Sequence, residues 1–191
     1  DTHPGHHPIL VLLETKWHDE SAEQTVDSLE DVVVSTWPEE RLITPRLVLR
    51  DAPTLRDGLA RYGWPSLGEV RGRLLVVLHS SGALRDALLN ADDGLHQRVM
   101  FPDAYGNLDA PYAAYHSMND PIGSQDAIRN VVRAGHLVRT RSDADGEESD
   151  RLDDTRANAA LESGAHFIST DFPYPATEDA YGFVIPEGTP S

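Results

Sequence analysis

Two unbroken aliphatic runs, ILVLL at 9–13 and LLVVL at 74–78, constrain the fold of this chain more than any other feature. A strand with one wet face alternates apolar and polar residues. A run without alternation is apolar on both sides and belongs in a parallel sheet covered by helices on each face. The rest of the chain alternates accordingly. Strands are predicted at 9–14, 73–79, 112–117, 136–141, 165–170 and 181–185, and helices at 21–34, 53–62, 82–90, 122–134 and 150–163. Ser21 stands as N-cap of the first helix, whose Val26, Leu29 and Val33 recur at helical spacing. Residues 43–50 contain Pro45 and read as a loop or edge segment.

Strands separated by helices imply right-handed crossovers. The predicted fold class is therefore α/β, in the form of a TIM-like (β/α) barrel. Six strands are two fewer than a closed barrel needs, and such barrels take about 250 residues, against 191 here. The barrel is expected to be incomplete in this chain, with its N-terminal quarter to third outside it. Residues 1–191 are read as a single domain, long enough to bury a core of its own.

Charge narrows the function. Sixteen Lys and Arg stand against 32 Asp and Glu, a net charge of −16, which argues against nucleic acid as a partner. A local cationic pocket can still exist in an acidic protein. Without cysteine there is no thiolate metal site and no Cys nucleophile. No apolar run reaches the roughly 18 residues that cross a bilayer. The chain opens on Asp1 and shows no signal-peptide pattern.

In barrels of this type the chemistry sits at the C-terminal ends of the strands, and here those ends are polar. Glu14 and Lys16, two apart, share a face at the end of the first strand. Arg139 and Arg141 do the same at 136–141, with Asp143 and Asp145 beyond them. Thr170 and Asp171 close 165–170, followed by Phe172, Pro173 and Tyr174. His79 ends the second strand, and His116 with Asn119 the third. Carboxylates beside guanidinium and ammonium groups suit a metal ion with an anionic, phosphate-like substrate.

Each of these has a plainer reading. Glu14 and Lys16 read equally as an ion pair. Arg139 and Arg141 read equally as struts to Asp143, Asp145 or Asp171. His79 and His116 read first as partly buried histidines, and Asp171 as a turn or cap residue. His3, His6 and His7 sit among two prolines and a glycine and are read as an exposed loop rather than a metal site. The chain carries no GxSxG, no Walker loop and no HExxH.

Four stretches taken in order, HPGHHPILVLLETK, WPSLGEVRGRLLVVL, HLVRTRSDAD and ESGAHFISTDFP, resemble the calcium-dependent phosphatidylinositol-specific phospholipases C of bacterial and fungal type. The resemblance runs over essentially the whole chain. The RTRxDAD and SGAxxxSTDxP pair is its specific part, while ETK is shared with glycerophosphodiesterases. It implies that the chain is the C-terminal two-thirds to three-quarters of a phospholipase C-like barrel. The family's early His-Asn motif has no counterpart in these residues.

The resemblance further implies a calcium-dependent phosphodiesterase that cleaves phosphatidylinositol-type lipids to diacylglycerol and a cyclic inositol phosphate. Glu14 would be a calcium ligand. Lys16, Arg139 and Arg141 would stabilise the phosphate electrostatically, and Asp171 and Tyr174 would contact substrate. The main catalytic histidine would lie outside this chain, with His79 and His116 as fallback acid-base groups. Secretion, peripheral membrane contact through Phe172, Tyr174 or Tyr181, and a second chain carrying the first strands are further implications. The alternatives are a glycerophosphodiester phosphodiesterase on the same barrel, or a non-catalytic fragment or binding module.

Overall fold

The computed structural model describes residues 5–16, 21–90, 94–173, 175, 177 and 180–183. They group into two compact units, 1–116 and 117–191.

The first unit is built on a four-stranded parallel sheet. Its centre is β3 (Leu74–Leu78), buried along its whole length. One edge of β3 pairs in register with β1 (Ile9–Leu13), from Ile9 opposite Leu74 to Leu13 opposite Leu78. The other edge is shared: β2 (Leu42–Ile43) takes Leu74 and Leu75, and β4 (Phe101–Pro102) takes Val77 and Leu78. Helices α1 (Ala22–Thr36), α2 (Pro45–Leu49), α3 (Leu55–Tyr62), α4 (Leu67–Val70) and α5 (Ala83–Leu89) follow in chain order.

The Ser21 cap is where the sequence put it. Ser21 Oγ accepts from Gln24 N–H and the Gln24 side chain accepts from Ser21 N–H, a reciprocal capping box. Thr54 caps α3 through Asp57 N–H. Val26, Val33, Leu55, Leu59, Leu84 and Leu88 are buried; each such side chain contributes about 1.5–3 kcal/mol of transfer free energy. Gly58 lets α3 approach α2, since a Cβ there would lie 2.5 Å from the Val48 carbonyl oxygen. Glu30 ties α1 to the approach to β4: its carboxylate accepts from Val99 N–H (2.8 Å), Met100 N–H (3.2 Å) and Arg98 (2.8 Å).

The second unit begins inside β5 (Tyr115–Ser117), the first strand of a three-stranded sheet ordered β5, β6 (Leu137–Arg141), β7 (Phe167–Ser169). β6 and β7 are parallel, with Arg139 opposite Phe167 and Arg141 opposite Ser169. Helices α6 (Gln125–Arg133), α7 (Glu147–Arg151) and α8 (Thr155–Glu162) complete the unit. Ile128, Val131, Val138, Ala157 and Ala160 are buried. Burial alternates along β6, so Val138 and Thr140 point inward and Arg139 and Arg141 share the other face.

The α/β class and parallel strands agree with the sequence. The closed barrel does not appear: the described strands form two sheets, and neither closes. Three differences have physical causes. β1 is an edge strand whose residues are only partly buried, because one flank of its sheet has no neighbour among the described residues. β2 and β4 are two residues each, too short to show a period, and exist through pairing with β3. Residues 181–183 are not a strand; Phe183 N–H donates to the Phe172 carbonyl at 2.8 Å, and residues 184–185 lie outside the described residues.

Candidate active site

In the first unit the strand ends gather five candidate side chains. Glu14 follows β1 directly, and its Oε1 accepts from Lys16 Nζ at 2.6 Å. The ion pair that periodicity allowed is therefore formed, and it is open to water, with Lys16 77% and Glu14 50% exposed. His79 follows β3, and its N–H donates to the Leu13 carbonyl at 2.9 Å, next to Glu14 in the chain. His79 Nδ1 lies 2.8 Å from Asp103 Oδ2. A carboxylate only accepts, so Nδ1 carries the proton and Nε2 holds the lone pair whenever the ring is neutral.

Asp103 follows β4 and is wholly shielded from solvent (0% exposed). Its second oxygen accepts from Tyr105 N–H at 2.9 Å. The Tyr105 ring stands 5.3 Å from the His79 ring at a tilt of 41°. Partial burial, and then the negative charges of Asp103 and Glu14, push the Tyr105 phenol up to about 12, so it is a hydroxyl donor at neutral pH. His116 is buried in β5, and its Nδ1 accepts from Gly106 N–H at 3.0 Å, so that nitrogen is occupied in holding a turn.

In the second unit Arg139 Nη1 donates to Asn119 Oδ1 at 2.6 Å. Arg141 Nη2 lies 3.0 Å from Asp171 Oδ2 in a pair open to water on the Asp171 side. Asp143 is not a partner of either arginine. It is fully buried and accepts from Ser142 Oγ (2.9 Å), Thr170 Oγ1 (2.5 Å) and Asp171 N–H (2.9 Å). This knot joins the RTRSDAD loop to the STD turn.

Beside it, Glu148 accepts from Arg156 Nε at 2.6 Å and Ala144 N–H at 2.8 Å. Burial alone would raise the Glu148 carboxyl, but the Ala144 N–H and Arg156 outweigh it and hold it below its ordinary value. Tyr181, taken from sequence as a membrane-facing aromatic, is instead buried. It packs edge-on to Phe172 at 5.7 Å and donates to the Ser142 carbonyl at 3.3 Å. Tyr174 and His3 lie outside the described residues.

Asp103, Tyr105 and Glu148 were not singled out from sequence. The signal for Asp103 is nonetheless there: VMFPD at 99–103 is a short apolar run ending in a carboxylate, as is ILVLLE at 9–14. Among the described residues no three His, Asp or Glu side chains gather as a metal centre. Glu14, a half-exposed hard-oxygen donor, fits calcium as one ligand of the six to eight oxygens that the ion takes. Asp103 is committed to His79 and Tyr105. No described helix is long and apolar enough to cross a membrane.

The family described as phosphoinositide phospholipase C, Ca2+-dependent, matches residues 1–189. The chain is also similar to a solved structure of a Ca2+-dependent phosphatidylinositol-specific phospholipase C from Streptomyces antibioticus, at 16% identity and a TM-score of 0.64. That likeness takes in 88% of this chain and 65% of the other, so the chain spans about two-thirds of the length of that enzyme. No curated protein matches the chain. With nearly every residue inside the family match, the chain belongs to the Ca2+-dependent phosphoinositide phospholipase C family.

Proposed function

We propose that the chain carries part of the active centre of a phosphodiesterase acting on phosphatidylinositol-type lipids. The observation that carries this reading is the strand-end cluster Glu14, Lys16 and His79–Asp103 in a chain of this family. In the proposed reaction an inositol hydroxyl next to the phosphodiester attacks phosphorus. Its proton passes to a base, and diacylglycerol leaves with a proton from an acid, giving a cyclic inositol phosphate.

Glu14 would hold calcium as one ligand. A bound calcium supplies positive charge that favours the ionised nucleophile and offsets charge building on the phosphoryl oxygens. Lys16, exposed at the end of its long stem, would bind a non-bridging phosphate oxygen. His79 is the described histidine proposed to move a proton, because Asp103 Oδ2 accepts from its Nδ1 and so fixes its tautomer. In the second unit, taken by itself, Arg139, held by Asn119, and Arg141, held by Asp171, offer two guanidinium groups suited to a phosphate or a hydroxyl-bearing ligand.

Titration calorimetry with calcium, run beside cleavage of phosphatidylinositol vesicles, tests the reading. Calcium binding by the chain that weakens in Glu14→Gln is the expected result. A chain that binds no calcium and cleaves nothing overturns it, and cleavage of glycerophosphodiesters in place of phosphatidylinositol replaces the substrate class.

A further inference from the structure

The opposite end of β3 from the candidate active site holds a second group of charged residues that the proposed function does not use. His79 follows the strand; Arg73 precedes it. Six residue steps at about 3.3 Å each put the two ends roughly 20 Å apart. Arg73, Arg46 on α2 and Arg50 just after α2 line one cleft of about 420 Å³. Its apolar wall includes Leu47, Pro65 and Val70.

The charge placement is unusual for this chain. Residues 39–73 hold seven of the 16 cationic residues and only five acidic ones, net +2, while the remainder carries −18. Glu69 is the one carboxylate lining this cleft, and it is committed: it accepts from Ser66 N–H at 2.8 Å and Ser66 Oγ at 2.7 Å. Arg46 pairs with Glu39, which lies outside the cleft. Arg50 is stacked on the Tyr62 ring at 4.8 Å. Among the described residues the charge of Glu69 bears on Arg50 and Arg73 and that of Asp51 on Arg50, but neither carboxylate closes on them as a direct ion pair.

Arg50 also has φ 50° and ψ −115°, a left-handed conformation that side-chain-bearing residues rarely adopt. A backbone outlier of this kind points to a role for the position it sets. With Arg46 paired to Glu39, three guanidinium groups stand against two carboxylates and leave +1, a positive lining that suits a phosphate monoester of about −1.5 to −2 at neutral pH. Guanidinium forks bind such a group through paired N–H donors, and the cleft is roomier than a bare phosphate requires.

We infer that this cleft is a binding site for a phosphomonoester, its phosphate on Arg46, Arg50 and Arg73 and its carbon part against the Leu47, Pro65 and Val70 wall. The site is separate from the proposed active centre and stands whether or not that proposal does.

Calorimetry of the whole chain with glycerol 3-phosphate tests it. One site is expected, weakened roughly tenfold in Arg50→Gln and in Arg73→Gln, with a smaller loss in Arg73→Lys, which keeps charge but not the fork. Lys16→Gln is expected to bind as well as the unaltered chain, and circular dichroism verifies that each variant is folded. Phosphatidic acid vesicles carry the same phosphomonoester on a lipid. If they retain the chain in an Arg73-dependent way while glycerol 3-phosphate gives no heat, the ligand is a lipid headgroup. Failure of both probes overturns the site, as does binding that survives both glutamine changes or disappears in Lys16→Gln.

Discussion

The two units use a buried carboxylate in opposite ways. In the first, Asp103 receives the His79 ring and one backbone N–H, so its charge orients a side chain capable of proton transfer. In the second, Asp143 receives two hydroxyls and one backbone N–H, so its charge sets the path of the chain where β6 and β7 end. Both are wholly shielded, and each must keep its partners because an unsatisfied buried carboxylate is costly. The exposed pairs above them differ in kind. Glu14–Lys16 and Arg141–Asp171 contribute about 0–1 kcal/mol each, so a ligand can displace either partner at little cost. The buried carboxylates hold the frame, and the water-exposed pairs are the weaker ties.

The comparison breaks most visibly at Asp143. Asp143→Ala leaves the Thr170 hydroxyl and the Asp171 N–H without their acceptor and is expected to cost about 2–4 kcal/mol by urea unfolding. A loss under about 0.5 kcal/mol would class it with surface positions. Asp103→Asn is expected to cost less, about 1–2 kcal/mol. Under the proposed function its larger effect is expected on phosphatidylinositol cleavage, a fall of roughly 10–100-fold in a chain that stays folded. Equal losses of stability in the two variants, with cleavage unchanged, would erase the distinction drawn here.

Glu148 adds a pH-dependent case. Its folded carboxyl lies below the ordinary value. Its contribution is therefore complete above the unfolded value of about 4.3 and is lost as pH falls through the folded value beneath it. Glu148→Gln is expected to cost about 1–2 kcal/mol at pH 7. The gap between the variant and the unaltered chain should close as unfolding is measured toward pH 3. A gap that widens with acidity contradicts the assignment.

The smallest effects on stability belong to the exposed pair. Glu14→Gln and Lys16→Met should each move unfolding by less than about 0.5 kcal/mol. Under the proposed function calcium separates them: Glu14→Gln is expected to weaken binding by roughly tenfold or more, because ligand charge tunes calcium affinity over decades. Lys16→Met should strengthen it, since the ammonium competes for Glu14 Oε1. Equal calcium affinity in both variants would remove Glu14 from the metal site.

What the sequence by itself determined is what short-range periodicity encodes. Unbroken aliphatic runs made β1 and β3 parallel strands. Spacing by two placed Arg139 with Arg141 on one face of β6, and Glu14 beside Lys16. Ser21 and Gln24 fixed where α1 begins.

Partner choice across long stretches of chain was decided by the tertiary structure. His79 meets Asp103 because β4 joins β3 only at Val77 and Leu78, which brings a carboxylate 24 residues away to the same strand end. Asp143 meets Thr170 and Asp171 through the register of β6 with β7. The same register gave Arg141 its Asp171, where spacing allowed three carboxylates equally. Burial of Tyr181 and His116, and the edge position of β1, also depend on which surfaces pack. Facing is a property of the local backbone; pairing is a property of the register between strands distant in sequence.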